Sequence, residues 1–581
     1  MRTLLRLTLC VAAVVSAAGC GFESEEPAAE GGELRFISGS AIKTLDPQAT
    51  SWLVDFRIIE GLFEPLLRVN PETMAVEPSA AEAMPEVSDD GLVYTFTVRP
   101  DAAWSNGEPL LASDYAYGWF RALLADLAAD YSALFFCIEG AQEFFDWRGQ
   151  QLKGFDKDTT TADELWAEAQ KRFEETVGIE AVDERTLRVT LKQPTAYFNE
   201  LVAFAPFSPV HRATASAYLK PDPESGAVVM APVYFKKPEL IVSNGPYRLG
   251  KWRFKQSLTL EQNPYWWNKD QMGNTRVVML VNTDPVAGLL RYNQGEAHWY
   301  PGFPTASQDA AKLVEAGRAD VSYGSAAGTY FYAFNCQPTY GGKKNPFADV
   351  RVRRAFSMAI DRQTLVQSVT RLNQPVARTF IPPDALPGYE APVQAGVSFD
   401  PEGARKLLAE AGYPGGAGLS GITLLLNSGG GHEKPAQSIR KSWEEHLGVT
   451  VQIEAIERIN FSDRLKNQGF QVARAGWFGD YRDPTTFLDK FHSRNNNNDS
   501  KYANPEYDRL LDAAATELDS AARMGLLAQA EAILMAEQPL VPLYHYTNLE
   551  LFDPKKVRGL MPNPWNIRRL DAVRVVEAEG E

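Results

Sequence analysis

The chain has 581 residues, 45% apolar and 23% charged, which is material for more than one buried core and excludes a disordered or fibrous protein. Its formal net charge is −16, and that balance argues against nucleic acid as a partner, because phosphate binding needs a basic face. Six histidines are scattered without metal-ligand spacing, and neither HExxH nor GxSxG occurs, so neither a metal nor a cofactor is expected.

The N-terminus reads as an export signal: Arg2 and Arg6 give a basic start, Leu7 to Ala18 is apolar but too short to span a bilayer, and small residues follow. Ala17-Ala18-Gly19-Cys20 resembles a bacterial lipobox, in which the cysteine is lipidated and becomes the mature N-terminus. Ser16-Ala17-Ala18 offers the alternative, an ordinary cleavage site that releases a soluble protein. The acidic, Gly-rich stretch from Glu23 to Gly32 favours a flexible tether behind an anchor at Cys20. Glu33 to Ile37 is the first strand, and Thr44-Leu45-Asp46-Pro47 is a loop because proline disfavours helix at the residue before it. After a turn at Ser88 to Gly91, Tyr94, Phe96 and Val98 alternate with Val93, Thr95, Thr97 and Arg99 as a strand. A second turn spans Trp104 to Pro109. Ser113 is then the expected cap of a helix whose apolar face carries Tyr117, Phe120 and Leu124. Arg148 to Lys171 is polar and helix-prone, and Leu187 to Leu191 and Ser257 to Leu260 read as strands.

In the second half, Asp349 caps a helix with an apolar face of Val352, Ala355, Phe356, Ala359 and Ile360, its arginines expected on a solvated or salt-bridged side. Asp400-Pro401-Glu402 opens another helix, which Gly412 ends. Ile422 to Leu426 is a buried strand, Gly429-Gly430-Gly431-His432 a flexible turn, and Val449, Val451 and Ile453 alternate as a further strand. Phe470, Val472, Ala475 and Trp477 form a short apolar-rich strand whose end is bracketed by Gly476 and Gly479 and carries Asp480. A carboxylate flanked by Trp477, Phe478 and Tyr481 is partly desolvated, and it calls for a cation or several donors. From spacing alone, the plainer reading is a strand ending in an Asp-Tyr turn. A polar tip at Arg494 to Asp499, two amphipathic helices and a strand from Leu540 to Tyr546 complete the chain.

Several of these stretches carry a resemblance. "LDP", "DDGLVYTF", "WSNGEPL" and "SDYAYGWFR" follow in that order between Leu45 and Arg121, with Asn244-Gly245-Pro246-Tyr247, Asn263-Pro264-Tyr265-Trp266, Tyr330 to Arg362 and ARAGWFGDYRDPTTF (Ala473 to Phe487) beyond. Together they resemble the extracellular solute-binding proteins of oligopeptide and dipeptide ABC transporters (solute-binding family 5), the oligopeptide-binding members most of all. The resemblance implies a two-lobe, periplasmic-binding-protein-like α/β fold (type II, cluster C) with an extra subdomain inserted in the first lobe. On this sequence the expected parts are a signal peptide at 1–19, a tether at 20–32, and lobe I at 33–63 with 194–327 and 545–581. The inserted subdomain would occupy 64–193 and lobe II 328–544, with a hinge near Ser325 to Tyr330. Arg148 to Lys171 would be an extra surface segment, and Tyr265, Trp266 and Trp267 lobe packing rather than a sugar platform.

The family also supplies site expectations. The aspartate at the place of Asp480 pairs with the α-ammonium of a bound peptide, and the arginine at Arg474 meets a short peptide's carboxylate directly or through water. Trp477 and Tyr481 flank the aspartate, and Tyr131 stands where a tyrosine faces the peptide. His432 lies where a histidine meets a longer peptide's carboxylate, although a lone His after a glycine run is ordinarily just exposed. Arg458 replaces a stacking tryptophan and Ala333 an acid of some relatives, and Gly328 and Phe478 replace a cysteine pair, leaving Cys137 and Cys336 as two buried thiols. The implied protein is not an enzyme. It is a monomeric, cell-envelope receptor, lipid-anchored at Cys20, that delivers short peptides to the permease subunits of an ABC transporter. Three other readings stay open on the sequence: a non-peptide solute such as a nickel chelate, haem, an oligosaccharide or an opine; a peptide-cue signalling receptor; and an exported hydrolase. The last rests on Ser438-Ile439-Arg440-Lys441, an SxxK without its companion KTG, which reads more simply as a solvated helix face.

Overall fold

Ten strands form one mixed sheet, and their sequence dictates which side of it each residue faces. The computed structural model describes residues 32–576 apart from 128, 130, 232, 233, 306, 307, 429, 430 and 496, so the signal peptide, Cys20 and the tether up to residue 31 lie outside the described residues. In chain order the strands are β1 (Glu33–Ser38), β2 (Tyr247–Arg253), β3 (Ser257–Gln262), β4 (Arg276–Val281) and β5 (Trp299–Tyr300), then β6 (Val321–Phe334), β7 (Ile422–Asn427), β8 (Val451–Ile456), β9 (Val472–Phe478) and β10 (Leu540–Phe552). Their order across the sheet is β2-β3-β4-β1-β5-β10-β6-β9-β7-β8. The parallel pair β7–β8 needs a crossover. The helix Glu433–Leu447 supplies it, closed by Gly448 in the left-handed region at φ +69°.

Alternation along β6 builds two cores at once. Tyr330, Tyr332 and Phe334 face one apolar cluster with Trp443 and Leu424, while Phe331 and Ala333 face another with Phe380, Leu425 and Phe487. A third and larger cluster joins β1, β3 and β4 to Trp104, Tyr115 and Trp119 from the segment expected as an inserted subdomain, which also carries its own four-stranded sheet. The antiparallel β6–β10 ladder runs from Val321↔Leu551 to Ala333↔Leu540, and its register slips between Ser325 and Thr329.

Three local expectations need correction. Helix α1 (Leu53–Leu62) is followed in the chain by helix α2 (Ala112–Ala122), whose N-cap is Leu111 and not Ser113. The Asp114 carboxylate there accepts the Leu111 N–H at 3.0 Å and the Trp104 indole N–H at 3.0 Å, fixing the start of the helix two residues early. The stretch from Arg148 to Lys171 is largely exposed and helical as expected, but Arg148 itself does not share that exposure. It is fully buried against Asp126 at 2.6 Å, a pair whose disruption would cost about 3–5 kcal/mol. Arg353 likewise leaves the solvated face of its helix and donates to the carbonyls of Glu537, Phe347 and Ala348. Cys137 and Cys336 are free and partly buried and pack at different clusters, and burial pushes the Cys137 thiol up to about 12.

Candidate functional site

Strand β9 sorts the expected site residues by parity. Arg474, Gly476 and Phe478 share the face of Tyr330 and Tyr546, whereas Ala473, Ala475 and Trp477 pack into the cluster on the other face. Gly476 is needed at its place, since a Cβ there would lie 2.4 Å from the Tyr546 hydroxyl. Gly479 lets the Trp565 ring close in, to 2.5 Å of where a Cβ would stand. On its β7 side, β9 pairs only at Val472 and Ala473, so the backbone of 474–478 has one edge open to a further strand.

Asp480 sits just beyond that edge. Its N–H donates to Thr486 Oγ1 at 2.9 Å, and its Oδ1 accepts from the Tyr131 hydroxyl at 3.2 Å. Among the described residues no cation lies in ion-pair range of it, and burial pushes its pKa up to about 6, with the Tyr131 hydrogen bond pulling the other way. It opens on a cavity of about 560 Å³ walled by Tyr131, Phe204, Phe478, Tyr481 and Trp565, with Arg57 and Glu60 of α1 also in its lining. Tyr481 stacks on Tyr197 at 4.9 Å, and next to it Arg482 holds Glu200 at 2.6 Å. Trp477 turns away from this cavity. Its indole N–H donates to the Thr486 carbonyl at 2.7 Å, so it braces the turn that carries Asp480.

Arg474 and His432 gather elsewhere, around Tyr330. The Arg474 guanidinium lies 4.9 Å from the centre of the Tyr330 ring and donates to the Tyr546 hydroxyl at 3.0 Å, while its Nε is buried without a partner. His432 Nδ1 is 3.3 Å from the Tyr330 hydroxyl, so the residue is half-buried rather than exposed after its glycine run. Burial, and then the charge of Arg474, lowers its pKa to about 4. Neither residue lines the Asp480 cavity. Phe478 joins the two groups, lining that cavity and stacking on Tyr546 at 4.5 Å. Arg458 begins the helix Arg458–Lys466, and its side chain lies outside the described residues.

The substituted positions have plain surroundings. Ala333 is buried opposite Ala473 and Leu540, and Gly328 and Phe478 are register partners across β6–β9. Trp266 and Trp267 both donate to the buried Glu64 carboxylate at 3.0 Å, which makes them packing elements. Lys441 of the SxxK stretch is exposed and pairs with Glu445 at 3.4 Å. The lining residues Phe56, Arg57, Glu60, Glu200, Phe204 and Trp565 carry no sequence signal of their own. Arg482 alone could have been flagged, by its place two residues after Asp480.

Residues 75–499 match the model of the bacterial extracellular solute-binding proteins, family 5. The chain is 30% identical over 534 residues to the oligopeptide-binding protein OppA of Bacillus subtilis, covering 89% of this chain and 88% of that one. The unliganded, open form of the Escherichia coli murein tripeptide-binding protein MppA superposes with a TM-score of 0.74 at 29% identity, covering 95% of this chain and 98% of that one. Haemophilus influenzae OppA in complex with the peptide RPPGFSPFR gives 0.71 at 26% identity, covering 95% and 100%. With a family match over more than half its length and a two-lobe fold shared nearly end to end, the chain belongs to the bacterial extracellular solute-binding proteins of family 5.

Proposed function

We propose that this protein is an extracytoplasmic receptor that captures short peptides in the cleft around Asp480 and delivers them to an ABC transporter permease. The observation that carries the reading is Asp480 itself: a partly buried carboxylate with a hydroxyl donor and no cation among the described residues. A peptide α-ammonium supplies what it lacks. The open edge at 474–478 accepts the peptide backbone as an added strand. Arg474, with its unpartnered Nε, and then His432 take the carboxyl end of shorter and longer ligands. Six residues of extended chain span at most about 20 Å, which sets the reach between Asp480 and Arg474 at a handful of residues. Closure pivots on the register slip between Ser325 and Thr329, where lobe I gives way to lobe II at about residue 328 and again at about 545. A ligand favours the closed form by touching both sides of the cleft better than one.

The inserted subdomain at 64–193, a monomeric state and an anchor at Cys20 complete the reading. Intact mass of the exported protein tests the anchor, which requires diacylglycerol on Cys20. Calorimetry with short peptides tests the function. Asp480→Asn should weaken binding by about 2–5 kcal/mol, and equal affinity in both proteins overturns the assignment. Release of a single non-peptide mass on denaturation would keep the fold and replace the substrate.

A further inference from the structure

Five arginines line the Asp480 cavity, and four of them are spoken for. Arg68 pairs with Glu77 at 2.7 Å and Arg482 with Glu200 at 2.6 Å, while Arg568 is bound to Glu550 and Arg569 to Asp571. Arg57 differs. It is 8% exposed, its guanidinium lies 5.0 Å from the centre of the Trp299 ring, and among the described residues its one side-chain hydrogen bond is to the neutral Asn566 Oδ1 at 3.4 Å. No carboxylate comes within 4.0 Å of it among the described residues. None of its nitrogens is both sealed from solvent and unpartnered, so its unmatched N–H groups are free to donate to an anion that enters the cavity. Arg57, Trp565 and Asn566 line the same cavity as Asp480. Glu60, one turn along α1, lines the same cavity, and desolvation there lifts its pKa to about 7 while the charge of Arg57 pulls it the other way.

We infer that Arg57 forms an anion subsite next to the ammonium site at Asp480, selecting peptides whose first residue carries an acidic side chain. This rests on the peptide-receptor reading and deepens it. A ligand seated by its α-ammonium places its first side chain in this cavity, and a carboxylate there meets Arg57 in a charge-assisted pair. The test is calorimetry with Glu-Ala-Ala against the isosteric Gln-Ala-Ala. The wild-type protein should bind the acidic peptide at least about tenfold more tightly. That ratio should fall toward one in Arg57→Gln and survive in part in Arg57→Lys. A wild-type ratio of one, or a ratio unchanged by Arg57→Gln, overturns the subsite while peptide binding stands. Tighter binding of Lys-Ala-Ala, lost in Glu60→Gln, overturns it by reversing the pole. Failure of every tripeptide to bind brings down the receptor reading and this inference with it. Should Arg57→Gln not fold, the wild-type ratio still decides.

Discussion

Asp480 and the Arg474–His432 group hold opposite charges in opposite ways. Asp480 meets one hydroxyl and keeps its charge open to the cavity, whereas Arg474 is threaded into a tyrosine network of Tyr330, Tyr544 and Tyr546. The first is a desolvated carboxylate whose charge costs local stability. The second contributes to the packing of its lobe whether or not a ligand is present. Ligand affinity should therefore hinge on Asp480, and fold stability on Arg474.

The sharpest break of that comparison is a pair of substitutions read by two methods. Asp480→Asn should carry the larger affinity loss, about 2–5 kcal/mol, while leaving the melting temperature of the free protein equal or higher. The sign follows from linkage: with its pKa raised to about 6 in the fold, Asp480 binds a proton more tightly folded than unfolded, so its ionisation lowers stability as pH climbs from about 4 to about 6. Removing the charge removes that penalty at neutral pH. Arg474→Leu should instead lower the melting point, at about 1–3 kcal/mol, because the Tyr546 hydroxyl and the Tyr330 face lose their cation. Equal melting points in the two variants would erase the distinction.

Titration sharpens it next. His432 has a lowered pKa, so the unfolded chain binds the extra proton and stability falls as pH drops from about 6.5 to about 4, the reverse of Asp480. His432→Gln should flatten this part of the acid limb, and Asp480→Asn should steepen it, in urea melts at pH 4.5 and 7. Peptide affinity should also weaken below about pH 6 as Asp480 takes up its proton, and that dependence should vanish in Asp480→Asn.

Much of this arrangement was legible before any coordinates. Period-two alternation placed β8, apolar runs placed β7 and β9, side-chain caps placed the helices after Asp349 and Asp400, and the aromatic flanks of Asp480 announced a desolvated carboxylate. What escaped depends on partners far along the chain. Arg148 and Arg353 read as surface residues because nothing near them in sequence forecasts Asp126 across a loop or the free carbonyl of Glu537. Parity hid a finer point: Trp477 and Asp480 are close in sequence, yet one braces the turn from behind and only the other opens on the cavity. Arg57 was invisible for the same reason, since its ring neighbour is Trp299 and its acceptor Asn566.

Tyr131 gives the smallest effect and the finest resolution. Its hydroxyl is the one donor among the described residues that steadies the Asp480 carboxylate, and it reaches across from the segment expected as the inserted subdomain, while the carboxylate rides on the turn after β9. Tyr131→Phe keeps the ring against Phe56 and Phe204, so the cavity wall should stay in place. Losing one hydrogen bond to a partly buried carboxylate should cost about 1 kcal/mol of peptide affinity at pH 8. It should also move the acid midpoint of binding above that of the wild type, because the donor that favours the ionised form is gone. An affinity loss with an unmoved midpoint would mean that Tyr131 touches the peptide itself, and the ammonium site would then be shared by two residues instead of tuned by one.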